Sequence, residues 1–212
     1  MRLKRLFRSK RGIVGIEAAI VMIAFIIIAV ALSYVIINMG LYTAQKTKEA
    51  MQSGLDESLG ALQLDGVATA KTDNSSCIEY VAFPVKLAAS HASVDLGSNS
   101  IIVSVYLPNA TLMNIYRGAI VTNNVTWDDL ISTLSLGDNQ AKFAIYNGNG
   151  NTVLEATEKA FLLIHLASNS TTGMLSDYDT MKVEVRSAKG AALTVVRTAP
   201  GGMIANSFVD LG

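Results

Sequence analysis

Cysteine is nearly absent from this sequence. Cys77 is the only one, so no disulfide can form within the chain. The sequence contains only two histidines in addition to this cysteine. Structural zinc takes four such ligands, so no Cys/His spacing suggests a zinc site. We expect Cys77 to be a small buried thiol, with a bridge between two chains as the alternative. The fold must then rest on hydrophobic burial, which a chain of this length can supply.

Basic residues are scarce outside the N-terminus. The 212 residues contain 17 Lys and Arg and 17 Asp and Glu, so the formal net charge is zero. Six of the basic residues and none of the acidic ones fall in residues 1–12, which leaves a net charge of −6 on the remainder. Binding to nucleic acid needs a clustered basic surface. We therefore expect no nucleic-acid partner.

Proline is missing between Val14 and Leu62, a stretch with only four glycines. This permits one continuous helix of nearly fifty residues, about 70 Å long. Its first half is apolar from Ala18 to Ile37 apart from Ser33, and a bilayer is crossed by about 20 such residues. Its second half carries an apolar stripe at steps of three and four, which only Lys48 interrupts. The stripe consists of Leu41, Ala44, Met51, Leu55, Leu59 and Leu62.

A basic leader ending in glycine, MRLKRLFRSKRG, stands directly before this helix. A secretory signal peptide has the opposite order, an apolar region of roughly 7–15 residues followed by its cleavage site. Here cleavage after Gly12 would remove the leader, keep the apolar helix and create a new α-amine on Ile13. The excess of Lys and Arg before the helix favours a cytoplasmic N-terminus and places the C-terminal bulk outside.

Glu17 is a single carboxylate at the start of the apolar region. A charge within lipid is costly, so this position requires a reason. After cleavage Glu17 would be the fifth residue, and within a bundle of helices it would neutralise the buried amine of a neighbouring subunit. The alternative is a carboxylate at the membrane interface that reaches the headgroup region.

Several segments of the chain resemble a known family. The residues KRG before the cleavage site, Glu17, the apolar helix and the run INMGLYTAQK from Ile37 to Lys46 are similar to the archaellins, the archaeal flagellins of the type IV pilin superfamily. The segments VVRTAP and VDLG near the C-terminus are similar to archaellin endings. The resemblance is strong over residues 8–62, whereas the middle of the chain contributes only general architecture.

This resemblance implies a partner, a prepilin-type membrane peptidase that recognises Lys10 and Arg11 and cleaves between Gly12 and Ile13. It also implies extraction of the subunit from the membrane into a helical filament, with apolar helices in the core and β-domains in the outer shell. Glu17 matches the carboxylate of the pilin superfamily. Most helix–helix contact is expected from Ile20, Ile23, Phe25, Ile27, Ile28, Leu32, Val35 and Ile36.

Beyond Leu62 the sequence changes to short extended runs divided by turn residues. Eight such runs at this spacing predict a β-sandwich of the immunoglobulin-like type. A short helix is expected at Trp127–Thr133, with Thr126 as its N-cap, and Asn147–Asn151 predicts a tight hairpin loop. The expected strands are Cys77–Leu87, Ile101–Leu107, Ala119–Thr122, Ala141–Tyr146, Thr152–Glu155, Ala160–Ala167, Met181–Ser187 and Ala191–Arg197.

Catalytic motifs are lacking in this second half. His91 lies in a polar turn and His165 in an apolar run, and neither has a nucleophile elbow, phosphate loop or metal-spaced cluster beside it. We predict no enzymatic activity and no cofactor. Asp177 and Asp179 match only a fragment of a calcium-binding loop, so an ordinary acidic turn is the preferred interpretation.

Four Asn-X-Ser/Thr sequons begin at Asn74, Asn109, Asn124 and Asn169. Each falls in a predicted loop or strand end of the part expected outside the cell, where such asparagines can carry a glycan. N-glycosylation at one or more of these positions is one expectation, and chance occurrence of the motif is the other.

The sequence therefore predicts an α+β protein with a cleaved leader at 1–12, a long helix at 13–62 and an extracellular β-sandwich at 63–212. We predict a structural subunit of the archaellum filament that polymerises with itself or with closely related archaellins for swimming. Further expected partners are the membrane, which holds the precursor, and a membrane-bound assembly and motor complex. The alternatives are a subunit of a non-rotating adhesive pilus and, less favoured, a single-pass anchored surface protein.

Overall fold

The computed structural model describes residues 11–59, 61–89, 93–167, 173–188 and 190–212, with side chains from residue 15 onward. The chain divides into two compact units, Met1–Ser53 and Gly54–Gly212. The elements within the described residues are α1 (Arg11–Ser58), β1 (Leu62–Leu64), β2 (Thr69–Thr72), β3 (Ile78–Leu87), β4 (Ser93–Asp95), β5 (Ile101–Tyr106), β6 (Thr111–Leu112), β7 (Tyr116–Thr122), α2 (Trp127–Leu134), β8 (Gln140–Tyr146), β9 (Val153–Glu155), β10 (Lys159–His165), β11 (Thr180–Ser187), β12 (Leu193–Thr198) and β13 (Phe208–Asp210).

The predicted long helix is present as α1, with 48 residues. It ends at Ser58, before the expected Leu62, because Leu62 pairs with Leu87 as the first residue of β1. The hydroxyls of Ser33, Thr43 and Thr47 donate to carbonyls four residues back at 2.8–2.9 Å. These polar side chains thus satisfy their hydrogen bonds within the helix, as an apolar environment requires.

The larger sheet has the strand order β13-β2-β3-β10-β8-β7. β1 and β2 lie end to end along one edge of β3, because Leu64 pairs with Val85 while Thr69 pairs with Ala82. The pairings are antiparallel except that between β7 and β8, which is parallel. The C-terminal strand β13 closes one edge through its pairing with β2.

The smaller sheet has the order β12-β11-β5-β6 and packs against one face of the larger sheet. Phe83, Phe143 and Ile164 from the larger sheet share a buried core with Val103 and Val183 from the smaller one. In β11 the alternation is regular, and Val183 faces this core as the sequence predicts. The predicted β-sandwich is therefore confirmed.

The opposite face of the larger sheet is covered by α2. Leu130 and Leu134 of this helix pack with Leu163 of β10 and Ala144 of β8 in a second cluster. Both faces of β10 are thus buried, which explains the uninterrupted apolar run at its centre. Thr126 occupies the N-cap position, but its hydroxyl donates to the Asp129 carboxylate instead of accepting a backbone N–H.

The hairpin predicted at Asn147–Asn151 is wrong. β8 pairs with β7 and β10, whereas β9 pairs with β4, so the loop joins two different sheets. Asn147 does adopt the expected positive φ of 59°, which shows that the turn chemistry was correct and the pairing was not.

Candidate functional site: the exposed surface of the long helix

The surface of α1 is uncovered along its whole described length and is almost entirely apolar in its first half. Every residue that the structure describes from Gly15 to Leu59 is exposed. An 18-residue window of this helix reaches a mean hydropathy of 3.1, so α1 is long and apolar enough to cross a membrane by length and composition. Burying one such side chain in lipid or against another helix contributes about 1.5–3 kcal/mol. We therefore expect lipid or neighbouring helices to supply most of the stabilisation of α1.

The eight residues predicted to supply helix–helix contacts all lie on this surface. Their side chains are 52–68% exposed, and they cover about 220° of the helix circumference, while Met22, Ile26 and Ile37 occupy the remaining side. They are Ile20, Ile23, Phe25, Ile27, Ile28, Leu32, Val35 and Ile36. Such a helix suits lipid or the interior of a bundle, because it has no polar side to turn toward water.

Glu17 lies in a shallow depression of the helix surface that it shares with Ala18, Val21, Met22 and Phe25. Its carboxylate has no ion-pair partner within the described part of the chain. An unpaired charge surrounded by apolar side chains is stabilised most by a cation supplied from outside.

The predicted cleavage site lies at the beginning of α1. Arg11, Gly12 and Ile13 have helical backbones, while Lys10 lies outside the described residues. The bond between Gly12 and Ile13 thus precedes the exposed apolar surface, and its cleavage stays a prediction.

Three of the four predicted glycosylation sites fall within the described residues, and all three are exposed. Asn74 lies in the turn before β3 and accepts a hydrogen bond from Asn206 Nδ2 at 3.2 Å. Asn109 lies in the turn between β5 and β6, and Asn124 lies before α2. Asn169 is outside the described residues. The geometry leaves the first three accessible to a modifying enzyme.

The remaining candidate residues have structural contacts. His165 is buried, with its ring stacked on Tyr80 at 4.3 Å, whereas His91 is outside the described residues. Asp177 accepts the Gly202 amide at 2.7 Å and Asp179 accepts that of Ser176 at 3.0 Å, as in an ordinary acidic turn. In the described ranges no three His, Cys, Asp or Glu side chains come together to hold a metal ion.

The prediction for Cys77 was wrong in one respect. The thiol is half-buried, not buried, and its Sγ lies 3.9 Å from both the Ser75 carbonyl and the Ser176 hydroxyl. Cys77 lies directly before β3, beside the loop that precedes β11.

An ion-pair cluster that the sequence did not suggest joins the residue after β1 to β3 and β10. The Asp65 carboxylate accepts hydrogen bonds from Lys159 Nζ at 2.6 Å and Lys86 Nζ at 2.7 Å. These two ammonium groups, Lys159 first, hold the pKa of Asp65 below its usual value. No local pattern could have revealed the cluster, because its members come from three distant segments.

A second electrostatic feature lies in the sandwich core. Burial raises the pKa of the Tyr116 phenol, whose hydroxyl donates to the Leu96 carbonyl, and the Tyr116 ring meets Phe143 edge to face at 5.7 Å. The tyrosine is therefore a neutral core residue whose hydroxyl has a hydrogen-bond acceptor, the Leu96 carbonyl.

These features define the class of protein. A separately cored β-sandwich joined to an exposed helix whose first half is apolar on all sides suits a subunit that keeps this helix in lipid or among other apolar helices.

Comparisons with known proteins specify the family. The model of archaeal-type flagellin matches residues 12–197. A probable flagellin 1 of Aeropyrum pernix is 41% identical over 209 residues, which cover 97% of this chain and 100% of that relative. The chain belongs to the archaeal-type flagellin family. This membership supports a structural subunit of the archaellum and does not favour the adhesive pilus.

Two solved structures share the fold. Flagellin FlaB1 from Methanocaldococcus jannaschii aligns with a TM-score of 0.58 at 17% identity, over 71% of this chain and 95% of that one. The archaeal flagellum of Methanospirillum hungatei strain JF1 aligns with a TM-score of 0.55 at 20% identity, over 92% of this chain and 99% of that one. The long helix followed by a mostly β domain is thus an archaellin fold.

Proposed function

We propose that α1 is the assembly element of an archaellum subunit. It anchors the precursor in the membrane and later packs among the α1 helices of neighbouring copies. The observation that carries this proposal is the complete exposure of an apolar surface from Gly15 onward. In water that surface would aggregate, so the helix must exchange lipid for other helices without passing through solvent.

Leader removal is the step that permits this exchange. A prepilin-type peptidase recognises Lys10 and Arg11 and cleaves the Gly12–Ile13 bond, which removes the cytoplasmic positive charges that hold the precursor in place. The new amine of Ile13 is then neutralised by Glu17 of a neighbouring copy. Two charges that are each expensive in an apolar core become acceptable as a pair.

The β-domain forms the outer part of the filament, outside the cell. Its described core is built from buried residues between Ala61 and Leu211, so we expect it to stay folded without lipid. Polymerisation is open and heterologous, since a closed ring would not grow. A membrane-bound assembly and motor complex adds subunits and rotates the filament for swimming. The subunit itself has a structural role and carries out no catalysis.

Electron microscopy of shed filaments, combined with N-terminal sequencing of their subunit, tests this proposal. We expect filaments whose subunit begins at Ile13 and cells that lose swimming when the gene is deleted. A surface protein that retains Met1–Gly12 and forms no filament would instead indicate a single-pass anchor. Unchanged swimming with lost attachment would indicate an adhesive pilus.

Glycosylation of the β-domain is a second part of the proposal. The exposure of Asn74, Asn109 and Asn124 in turns supports it. Intact-mass measurement of the extracellular subunit should give a mass above that of the leaderless polypeptide, and each Asn→Gln substitution at an occupied site should remove one increment. A mass equal to the bare polypeptide would reject it.

A further inference from the structure

One line of side chains runs along α1 at alternating steps of four and three residues. We call this line the seam, and it consists of Val30, Tyr34, Ile37, Leu41, Ala44, Lys48, Met51 and Leu55. Its large apolar members are 59–70% exposed. A repeat of this kind is the contact line of helices that pack lengthwise with interlocking side chains.

Lys48 is the only charged member of the seam. It lies between Ala44 and Met51, at a position where the repeat calls for an apolar side chain. The described residues offer it no ion-pair partner, whereas Lys46, two positions away and off the seam, binds Glu49 at 2.6 Å. Lys48 is therefore exposed, charged and unpaired within a surface that is otherwise suited to burial.

The carboxylates of α1 all lie away from the seam. At about 100° per residue, each of them is about 90° or more from the middle of that line. They are Glu17, Glu49, Asp56 and Glu57. An open helical array joins unlike faces of successive copies, so the seam of one helix meets a different face of the next. The two faces are complementary in charge, since the seam carries a single ammonium and the other side carries four carboxylates, of which only Glu49 is paired within the described residues, with Lys46.

We propose that Lys48 sets the axial register between neighbouring α1 helices in the filament, through an ion pair with Asp56 or Glu57 of the next copy. This inference rests on the proposed assembly of α1. Glu49 is a weaker candidate because Lys46 already binds it. Pairing at a separation of eight or nine residues corresponds to an axial displacement of about 12–14 Å between the two copies.

The physical reason is that apolar contacts carry little directional information. Isoleucine, leucine and valine side chains bury similar areas at several axial offsets, so an all-apolar helix can slide against its neighbour. A single polar residue in such a seam costs stability but specifies one register, because other offsets leave it unpaired. The long stem of lysine can lie along the apolar surface while its ammonium reaches the carboxylate.

Charge reversal in the full-length protein tests this inference. Lys48→Glu should reduce filament yield in the producing cells by about tenfold, because the new carboxylate would lie opposite Asp56 and Glu57 of the next copy and repel them. Adding Asp56→Lys and Glu57→Lys to it should restore the yield. The comparison variant is Lys46→Glu, which makes the same charge change off the seam and breaks the pair with Glu49. Because it leaves Lys48 in place, it should reduce the yield far less than Lys48→Glu.

A neutral variant provides the second measurement. Lys48→Met keeps the length of the side chain and removes its charge, so filaments should still form, but electron microscopy should find a mixture of axial offsets. Wild-type yield and a single offset in both Lys48 variants would overturn the register role, and so would a charge swap that fails to restore assembly. The absence of filaments from wild-type cells would overturn the proposed function itself.

Discussion

The long helix and the β-domain treat apolar side chains in opposite ways. Phe25 of α1 is 68% exposed, whereas Phe143 of β8 is fully buried between two sheets. The β-domain buries most of its large apolar side chains in its own core. The helix leaves the same kind of surface open, so its free energy depends on lipid or on other copies. The β-domain is therefore stable by itself, whereas the helix is stabilised only when lipid or other copies cover it.

Substitution of one phenylalanine in each region is the strongest test of this contrast. Phe143→Ala removes a ring that packs against Tyr116, and we expect it to lower the free energy of unfolding of the β-domain by about 3–5 kcal/mol. Trp127, the single tryptophan, provides the fluorescence signal for denaturant titration in detergent. The matched variant Phe25→Ala should leave this transition unchanged and lower filament yield. Equal destabilisation of the domain by both would break the comparison.

Glu17→Gln addresses the helix alone. If Glu17 neutralises the amine of a neighbouring copy, its loss leaves a buried amine unpaired, and filament yield should fall by about tenfold. The unfolding transition of the β-domain should not move. Quantitative microscopy of filaments provides the measurement, and undiminished growth would remove the pairing role from this carboxylate.

Acidification should affect the two regions differently. The folded-state pKa of Asp65 is lowered by Lys159 and Lys86, so its contribution to stability is present above the unfolded pKa of about 3.9 and is lost as pH falls through the lower folded value. Asp65→Asn should therefore destabilise the β-domain at neutral pH and flatten its pH dependence below about pH 4. Thermal melts at several pH values provide the measurement. Glu49→Gln, which breaks the exposed pair on α1, should leave the melts unchanged.

The smallest effect is expected at Thr126. Its hydroxyl binds the Asp129 side chain and no backbone N–H, so Thr126→Ala should cost the domain less than about 1 kcal/mol. Thr47→Ala on α1, where the hydroxyl binds a carbonyl of its own helix, is the control that should leave domain unfolding unaffected. A loss at Thr126 well above this value would indicate a capping bond that forms in solution.

Much of the architecture could be predicted from local patterns. The apolar run gave α1, and each of the eight extended segments predicted from the sequence overlaps a strand of the structure. α2 was predicted almost to its last residue, because Thr126 and the two following acids mark a helix start. The strands β1, β2, β4, β6 and β13 were missed. They have two to four residues, which gives little alternating pattern, and of the described strands this short β9 alone was predicted.

The residues of the candidate site could be predicted from the sequence because they belong to α1. Within one helix, spacing along the chain also fixes their positions on the surface. The Asp65 cluster was not accessible, since Lys86 and Lys159 reach it from separate strands.

The sequence by itself determined that the chain has an apolar helix with a basic segment in front and a β-rich domain behind it. Helix formation and hydrophobic length are local properties, and periodicity expresses them directly. Only the tertiary structure decided that β8 pairs in parallel with β7, that α2 covers the second face of the larger sheet and that β13 closes its edge. Those choices depend on which distant surfaces bury one another, and such a choice is a property of the whole chain and of no single segment.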